Sequence, residues 1–282
     1  MRPGPFAYSR PATLHEALRA LAAGAVPLAG GQSLLQAMRL RQTEPAAIVD
    51  LAGVAELSDA VTVTADRITI GARVTHRALA EHPTLTAELP WLVEAALALG
   101  DVQVRNLGTV LGNVCWADPR ANMAVALLAS DAVVTAVAPG APAAVERIAI
   151  ADFFTGFRTH ALAGRLATTI ELPRGGRGRG CYLEFSRQRQ DLALVNVCVV
   201  TSDQGMRVAV GGIDPRPMRL PTVEAALARG DAAALRNLLA ISLAPAQHQP
   251  IADQHGSAAF KLGLAATLVR RAVERCGVPG HD

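Results

Sequence analysis

The stretch LAGGQSLLQAMRLR, residues 28–41, sets two adjacent glycines between a short apolar run and a segment of helical character. No other feature constrains the fold as much, because a bare backbone turn of this kind can end a strand and open a helix within a few residues. The flanks agree. Thr13, with Glu16 three residues on, forms a capping box ahead of the apolar stripe Leu14, Leu18 and Leu21, and Gly24 ends that helix. Residues 25–28 read as a short strand, 34–41 as a helix, and 47–51 (AIVDL) as a strand buried on both faces. Strand, helix, strand in this order gives a small parallel α/β unit over residues 1–55.

From residue 56 the periodicity changes. Val61, Val63, Ile68 and Ile70 alternate around Ala65-Asp66-Arg67, which reads as an antiparallel hairpin. Thr75 is placed to cap a helix through residue 82, and 91–100 reads as another helix. Strands are expected at 132–137 and 167–172. RGGRGRG, residues 174–180, is the clearest linker. Beyond it, 181–202 and 206–212 are strand-like, and helices follow at about 223–240 and 257–275. The expected class is α+β. A lobe over 1–175 combines the 1–55 unit with a larger antiparallel-sheet subdomain over 56–175. A C-terminal α+β domain, 176–282, carries a three-stranded antiparallel sheet and helices.

Composition narrows the function. Of 27 basic residues only Lys261 is a lysine, and with a net charge of +3 the arginines are spread along the chain, so no nucleic-acid surface is indicated. No apolar stretch approaches the roughly 20 residues of a membrane span, and MRPGPFAYSRP has no signal core, so a cytoplasmic protein is expected. Cys115, Cys181, Cys198 and Cys276 lie far apart with no CxxC, which argues against a metal centre or a disulfide scaffold within this chain. The seven histidines show no ligand spacing, Ser33 has no paired base, and Asp118-Pro119 reads as a turn brace. No catalytic side chain is assigned.

Gly30-Gly31 exposes backbone N–H groups where the helix dipole adds positive charge, and Ser33 adds a hydroxyl, so the turn reads as an anion site. It matches neither GxGxxG nor a P-loop. A second segment, QVRNLGTVLGNVCWADPRAN at 103–122, is too polar for a core strand and too apolar for a surface loop. It reads as a buried loop whose polar groups meet a ligand.

These segments together resemble the FAD-binding medium subunit of the molybdenum hydroxylases, the family of xanthine dehydrogenase and carbon monoxide dehydrogenase. The resemblance runs from about Phe6 to the C-terminus. It is carried by AGGQS at 29–33, IVDL at 48–51, IGARVTH at 70–76, QVRNLGTVLGN at 103–113, ADP at 117–119, DFF at 152–154, Tyr182 through Arg187 and DLALV at 191–195. The resemblance implies that Ala29, Gly30, Gly31, Gln32 and Ser33 grip the FAD pyrophosphate from one side. Thr109, Val110, Leu111, Gly112 and Asn113 would grip it from the other. It further implies that Asn122 lies near the ribityl chain or flavin and that Tyr182 shields one face of the ring. The implied role is electron transfer from iron–sulfur clusters of a partner to an external acceptor. The implied partners are a small 2Fe-2S subunit and a large subunit with a molybdenum-pterin cofactor, in a dimer of heterotrimers.

Two positions depart from the family pattern. Its second turn usually reads TIGG, and here Leu111 replaces the first glycine; Asn122 stands where an aspartate is usual. A left-handed backbone at Leu111 would cost about 1–2 kcal/mol, with the side chain crowding the phosphate. These departures define the alternative expectation, an assembly subunit of the same complex with lost or weakened FAD binding.

Overall fold

The structure, a computed structural model, describes residues 2–174, 178–188, 190–202, 205–231, 235–244 and 248–277. Residues 175–177 of the expected linker lie outside the described residues. The chain opens with β1 (Ala7–Ser9), α1 (Leu14–Ala22), β2 (Val26–Leu28), α2 (Leu34–Arg39) and β3 (Ala47–Asp50). β3 pairs in parallel with β1 on one side and β2 on the other, which is the expected α/β unit. Thr13 caps α1 through the full capping box with Glu16.

The hairpin follows as β4 (Val61–Val63) and β5 (Arg67–Gly71). A helical run comes next: α3 (His76–Ala80), α4 (Pro83–Glu88), α5 (Pro90–Ala98), α6 (Val102–Leu107), α7 (Val110–Trp116) and α8 (Asn122–Ala129). After it come β6 (Val133–Ala138), β7 (Ala141–Ala149), α9 (Ile150–Phe153), the small hairpin β8 (Phe154–Gly156) and β9 (Thr159–His160), and β10 (Leu166–Pro173). The five strands β4-β5-β10-β6-β7 form one antiparallel sheet. α8 is buried along its whole length, as its apolar sequence NMAVALLA requires.

The third sheet is β11 (Arg179–Phe185), β12 (Val195–Ser202), β13 (Gly205–Gly211) and β14 (Met218–Arg219), all antiparallel. The strand-like span expected over 181–202 is two strands, β11 and β12, which with β13 make the expected three-stranded sheet, and β14 adds a two-residue fourth strand. The helices are α10 (Pro221–Ala228), α11 (Leu235–Ser242) and α12 (Ala258–Arg275). The single helix expected over 223–240 is therefore two, broken where Gly230 takes φ +74° after α10.

β12 reads VNVCVVTS and is buried on both faces. Val195, Val197 and Val199 pack into the core with α10, α11 and α12, while Cys198 and Val200 pack into the core of the preceding residues. This sheet is consequently the wall shared by the two cores. Trp91 of α5 lies flat against β11, where a methyl group at residue 180 would stand 2.2 Å from the indole, so only glycine fits there.

Candidate functional site

The two glycine turns meet. A methyl group on Gly30 would sit 2.0 Å from the Leu107 carbonyl oxygen and 2.8 Å from the Gly108 Cα, so backbone presses on backbone. A methyl on Gly108 would lie 3.5 Å from the Gln32 Cγ, and one on Gly112 would lie 3.9 Å from the Ala29 Cβ. Ala29, Gly30 and Gln32 therefore line up against Gly108 and Gly112, although the two turns are far apart in the sequence.

Their donor inventories differ. Among the described residues no acceptor takes the N–H groups of Gly30, Gly31, Gln32, Ser33 or Leu34. Gly31 has φ +74°, and Ser33, at the N-cap of α2, makes no side-chain capping bond, so its hydroxyl is uncommitted. α2 has only six residues, so the donors themselves matter more than its dipole.

The second turn was expected as a loop and is instead helical on both sides. Asp101 caps α6 by accepting from the Val104 N–H at 2.9 Å, and Thr109 caps α7 by accepting from Gly112 at 3.2 Å. Its donors are largely used. Gly108 donates to the Val104 carbonyl at 2.7 Å, Val110 to Val74 at 3.0 Å, and Asn113 to Thr109 at 3.0 Å. The His76 N–H donates to Gly108 O at 3.0 Å, which ties the turn to the start of α3.

Leu111 does not behave as the left-handed position feared from the family pattern. It lies in the first turn of α7, has no positive φ, and is 3% exposed within the core. Its side chain thus fills the interior and does not crowd the turn; Val110 is buried likewise.

His76, on the far side of Gly108, is 1% exposed, and its Nδ1 has no partner among the described residues. Burial, with the Arg105 charge adding to it, pushes its pKa down to about 4, so the ring is neutral at pH 7. The side-chain oxygen of Asn113 is also buried without a partner. Asp118 confirms its role as a brace. It is ion-paired with Arg120 at 3.1 Å and Arg158 at 3.3 Å; burial opposes its ionisation, yet the Arg120 bonds and charge keep its pKa below the usual carboxylate value.

The remaining two expected residues sit in a cluster of their own. Asn122 opens α8 and donates to the Glu184 Oε2 at 2.9 Å and to the Ala95 carbonyl at 3.3 Å. The Tyr182 hydroxyl donates to the same Oε2 at 2.8 Å and accepts from Asn196 Nδ2 at 3.3 Å. Tyr182 is 4% exposed and packs within the core of the preceding residues. Nothing in the residue types flagged Glu184, because its partners lie 62 residues away or two residues along the same strand.

A cradle of unclaimed amides, with the Asn113 side-chain oxygen orphaned on the second turn, suits a diphosphate. Residues 4–175 match the model of the FAD binding domain in molybdopterin dehydrogenase, and residues 180–276 match the CO dehydrogenase flavoprotein C-terminal domain. The chain belongs to this family. The nicotine 6-hydroxylase medium subunit of Paenarthrobacter nicotinovorans is 30% identical to it over 96% of each chain. The carbon monoxide dehydrogenase medium chain of Afipia carboxidovorans is 32% identical over 98% of each. Its fold superposes on reconstituted CO dehydrogenase from Oligotropha carboxidovorans with a TM-score of 0.90 at 28% identity, covering 98% of this chain and 99% of the other. The chain is accordingly an FAD-binding subunit of an oxidoreductase complex. Among its described residues no helix is long and apolar enough to cross a membrane.

Proposed function

We propose that this flavin subunit is the electron outlet of a cytoplasmic heteromeric molybdenum hydroxylase. The observation that carries the reading is the row of N–H groups from Gly30 to Leu34, without an acceptor among the described residues at the point where two turns touch. Neutral amides and the Ser33 hydroxyl hold a diphosphate without a lysine, as in other backbone nests. Gly112, Thr109 and Asn113 close the cradle from the other side, and the flavin end runs toward Asn122 and Tyr182. FAD exchanges electrons singly or in pairs and so joins one-electron carriers to two-electron acceptors. The protein groups bind and orient it and exclude water from it; none is needed as a base or nucleophile.

The scattered cysteines leave the 2Fe-2S clusters to a small partner subunit and the molybdenum-pterin cofactor to a large one. The designation of the relatives as medium subunits fits that division, and a dimer of heterotrimers is the assembly proposed. The rival reading of a flavin-free assembly subunit loses its steric argument, since Leu111 points into the core. Purification of the chain with its partners and an absorption spectrum test the choice. Bands near about 375 and 450 nm, typical of oxidised flavin, are expected; a colourless preparation that takes up no added FAD overturns it.

A further inference from the structure

Glu184 is a partly buried carboxylate that forms no ion pair among the described residues, unlike Asp118 with its two arginines. Both of its bonds, from Asn122 and Tyr182, land on Oε2, and Oε1 has no protein donor among the described residues. Asn122 and Asn196 have spent both amide hydrogens: Asn122 on Ala95 and Glu184, Asn196 on the Arg120 carbonyl and the Tyr182 hydroxyl. Two acceptors of this cluster have no protein donor among the described residues: Asn196 Oδ1, which is buried, and Glu184 Oε1. Uncompensated partly buried charge of this kind is costly in a purely structural role.

Its position fits a cofactor running from the turns. α7 begins at the second turn and spans seven residues, about 10 Å at 1.5 Å per residue, and a five-residue link leads from its end to Asn122. A cofactor bound at the start of α7 and extended along that helix would run toward this cluster.

We propose that Glu184 is a positioning residue for the flavin end of the cofactor, fixing Asn122 and Tyr182 through one oxygen and placing a titratable charge beside the ring. The inference rests on the FAD reading above. Burial raises the carboxyl's pKa, against the lowering effect of its bonds from Tyr182 and Asn122. The other titratable groups around it are Tyr182 on its own strand, whose phenol burial and Glu184 together push well above its ordinary value, and Cys198 on β12, pushed up by burial. On α5, Glu94 accepts the Tyr182 N–H at 2.9 Å.

The charge couples to reduction. When two electrons from dithionite enter the bound flavin, one proton bonds to the ring. The added negative charge raises the affinity of the Glu184 carboxylate for a second proton taken from solvent. The test uses the full chain loaded with FAD, comparing wild type with Glu184→Gln and Glu184→Asp. Glu184→Gln is expected to retain FAD, to favour the reduced over the oxidised cofactor about fivefold relative to wild type, and to lose the extra proton uptake, up to one per flavin. Glu184→Asp should restore the uptake. Should Glu184→Gln fail to fold, Tyr182→Phe takes its place, and the midpoint of proton uptake should move to higher pH as the carboxylate loses a donor. Glu184→Gln with wild-type potential and proton uptake overturns the inference while leaving the FAD reading intact. Absence of FAD from wild type sinks the reading itself, and this inference with it.

Discussion

In the first turn the N–H groups of Gly30 through Leu34 find no acceptor among the described residues, whereas in the second those of Gly108, Val110, Gly112 and Asn113 are all bonded within the chain. Two turns in backbone contact thus divide their labour. The first supplies donors for a ligand. The second is a rigid buttress, locked by caps at Asp101 and Thr109 and by the strap to α3. A glycine-rich sequence signals backbone exposure in either case, and only the hydrogen-bond inventory separates a gripping turn from a bracing one.

The largest effect should come from the contact that joins them. Gly30→Ala places a methyl 2.0 Å from the Leu107 oxygen, where neither partner is a flexible side chain. Destabilisation of more than about 3 kcal/mol is expected, because the backbone itself must move. Thermal unfolding and flavin content should fall together. Wild-type melting with full flavin content would mean that the two turns need not touch.

Much of this arrangement was legible in the sequence, in the places where local chemistry decides structure. The capping box at Thr13 and Glu16 and the hairpin around Asp66 are short-range signals, and both appear as read. α6 and α7 were missed because Gly108 and Gly112 made their segment look like a loop. The corrective signal was present in Asp101 and Thr109, each an N-cap residue three positions before the N–H it accepts. The break near Gly230 was likewise a helix-end signal inside an apolar run. Glu184 could not be read at all. Its importance comes from a contact between α8 and β11 that no spacing rule encodes.

A middle-sized effect tests the buttress through pH. The His76 ring packs under Gly108, and Arg105 is the charged group that acts on it. Its pKa is about 4 in the folded chain against an ordinary value of 6.5. Between those values the unfolded chain binds a proton that the folded chain refuses, so stability falls as pH drops from 6.5 toward 4. The loss attributable to His76 is about 3 kcal/mol at full titration. Gly30, Gly31, Gln32 and Ser33 carry no titratable side chain, so acid release of flavin should follow the second turn. Denaturation at pH 7 and pH 4.5 checks this. His76→Gln should be less stable at pH 7 and should lose part of the wild-type dependence; an unchanged slope would remove His76 from the explanation.

The smallest expected effects separate the two turns most cleanly, since each uses one hydroxyl. Thr109 spends its oxygen on the Gly112 N–H inside the protein. Ser33 caps nothing and has its hydroxyl free for a ligand. Thr109→Ala should therefore cost about 1 kcal/mol of stability, the usual loss of an N-cap, while leaving the FAD dissociation constant near wild type. Ser33→Ala should leave melting unchanged and weaken FAD binding about tenfold, the scale of one hydrogen bond to a charged acceptor. The pair is informative because each change deletes one hydroxyl at the start of a short helix, and Thr109→Val, which keeps the branched shape, separates the hydroxyl of Thr109 from its methyl. If Ser33→Ala lowered stability and Thr109→Ala released FAD, the assignment of gripping and bracing would be reversed, even with the two turns in contact.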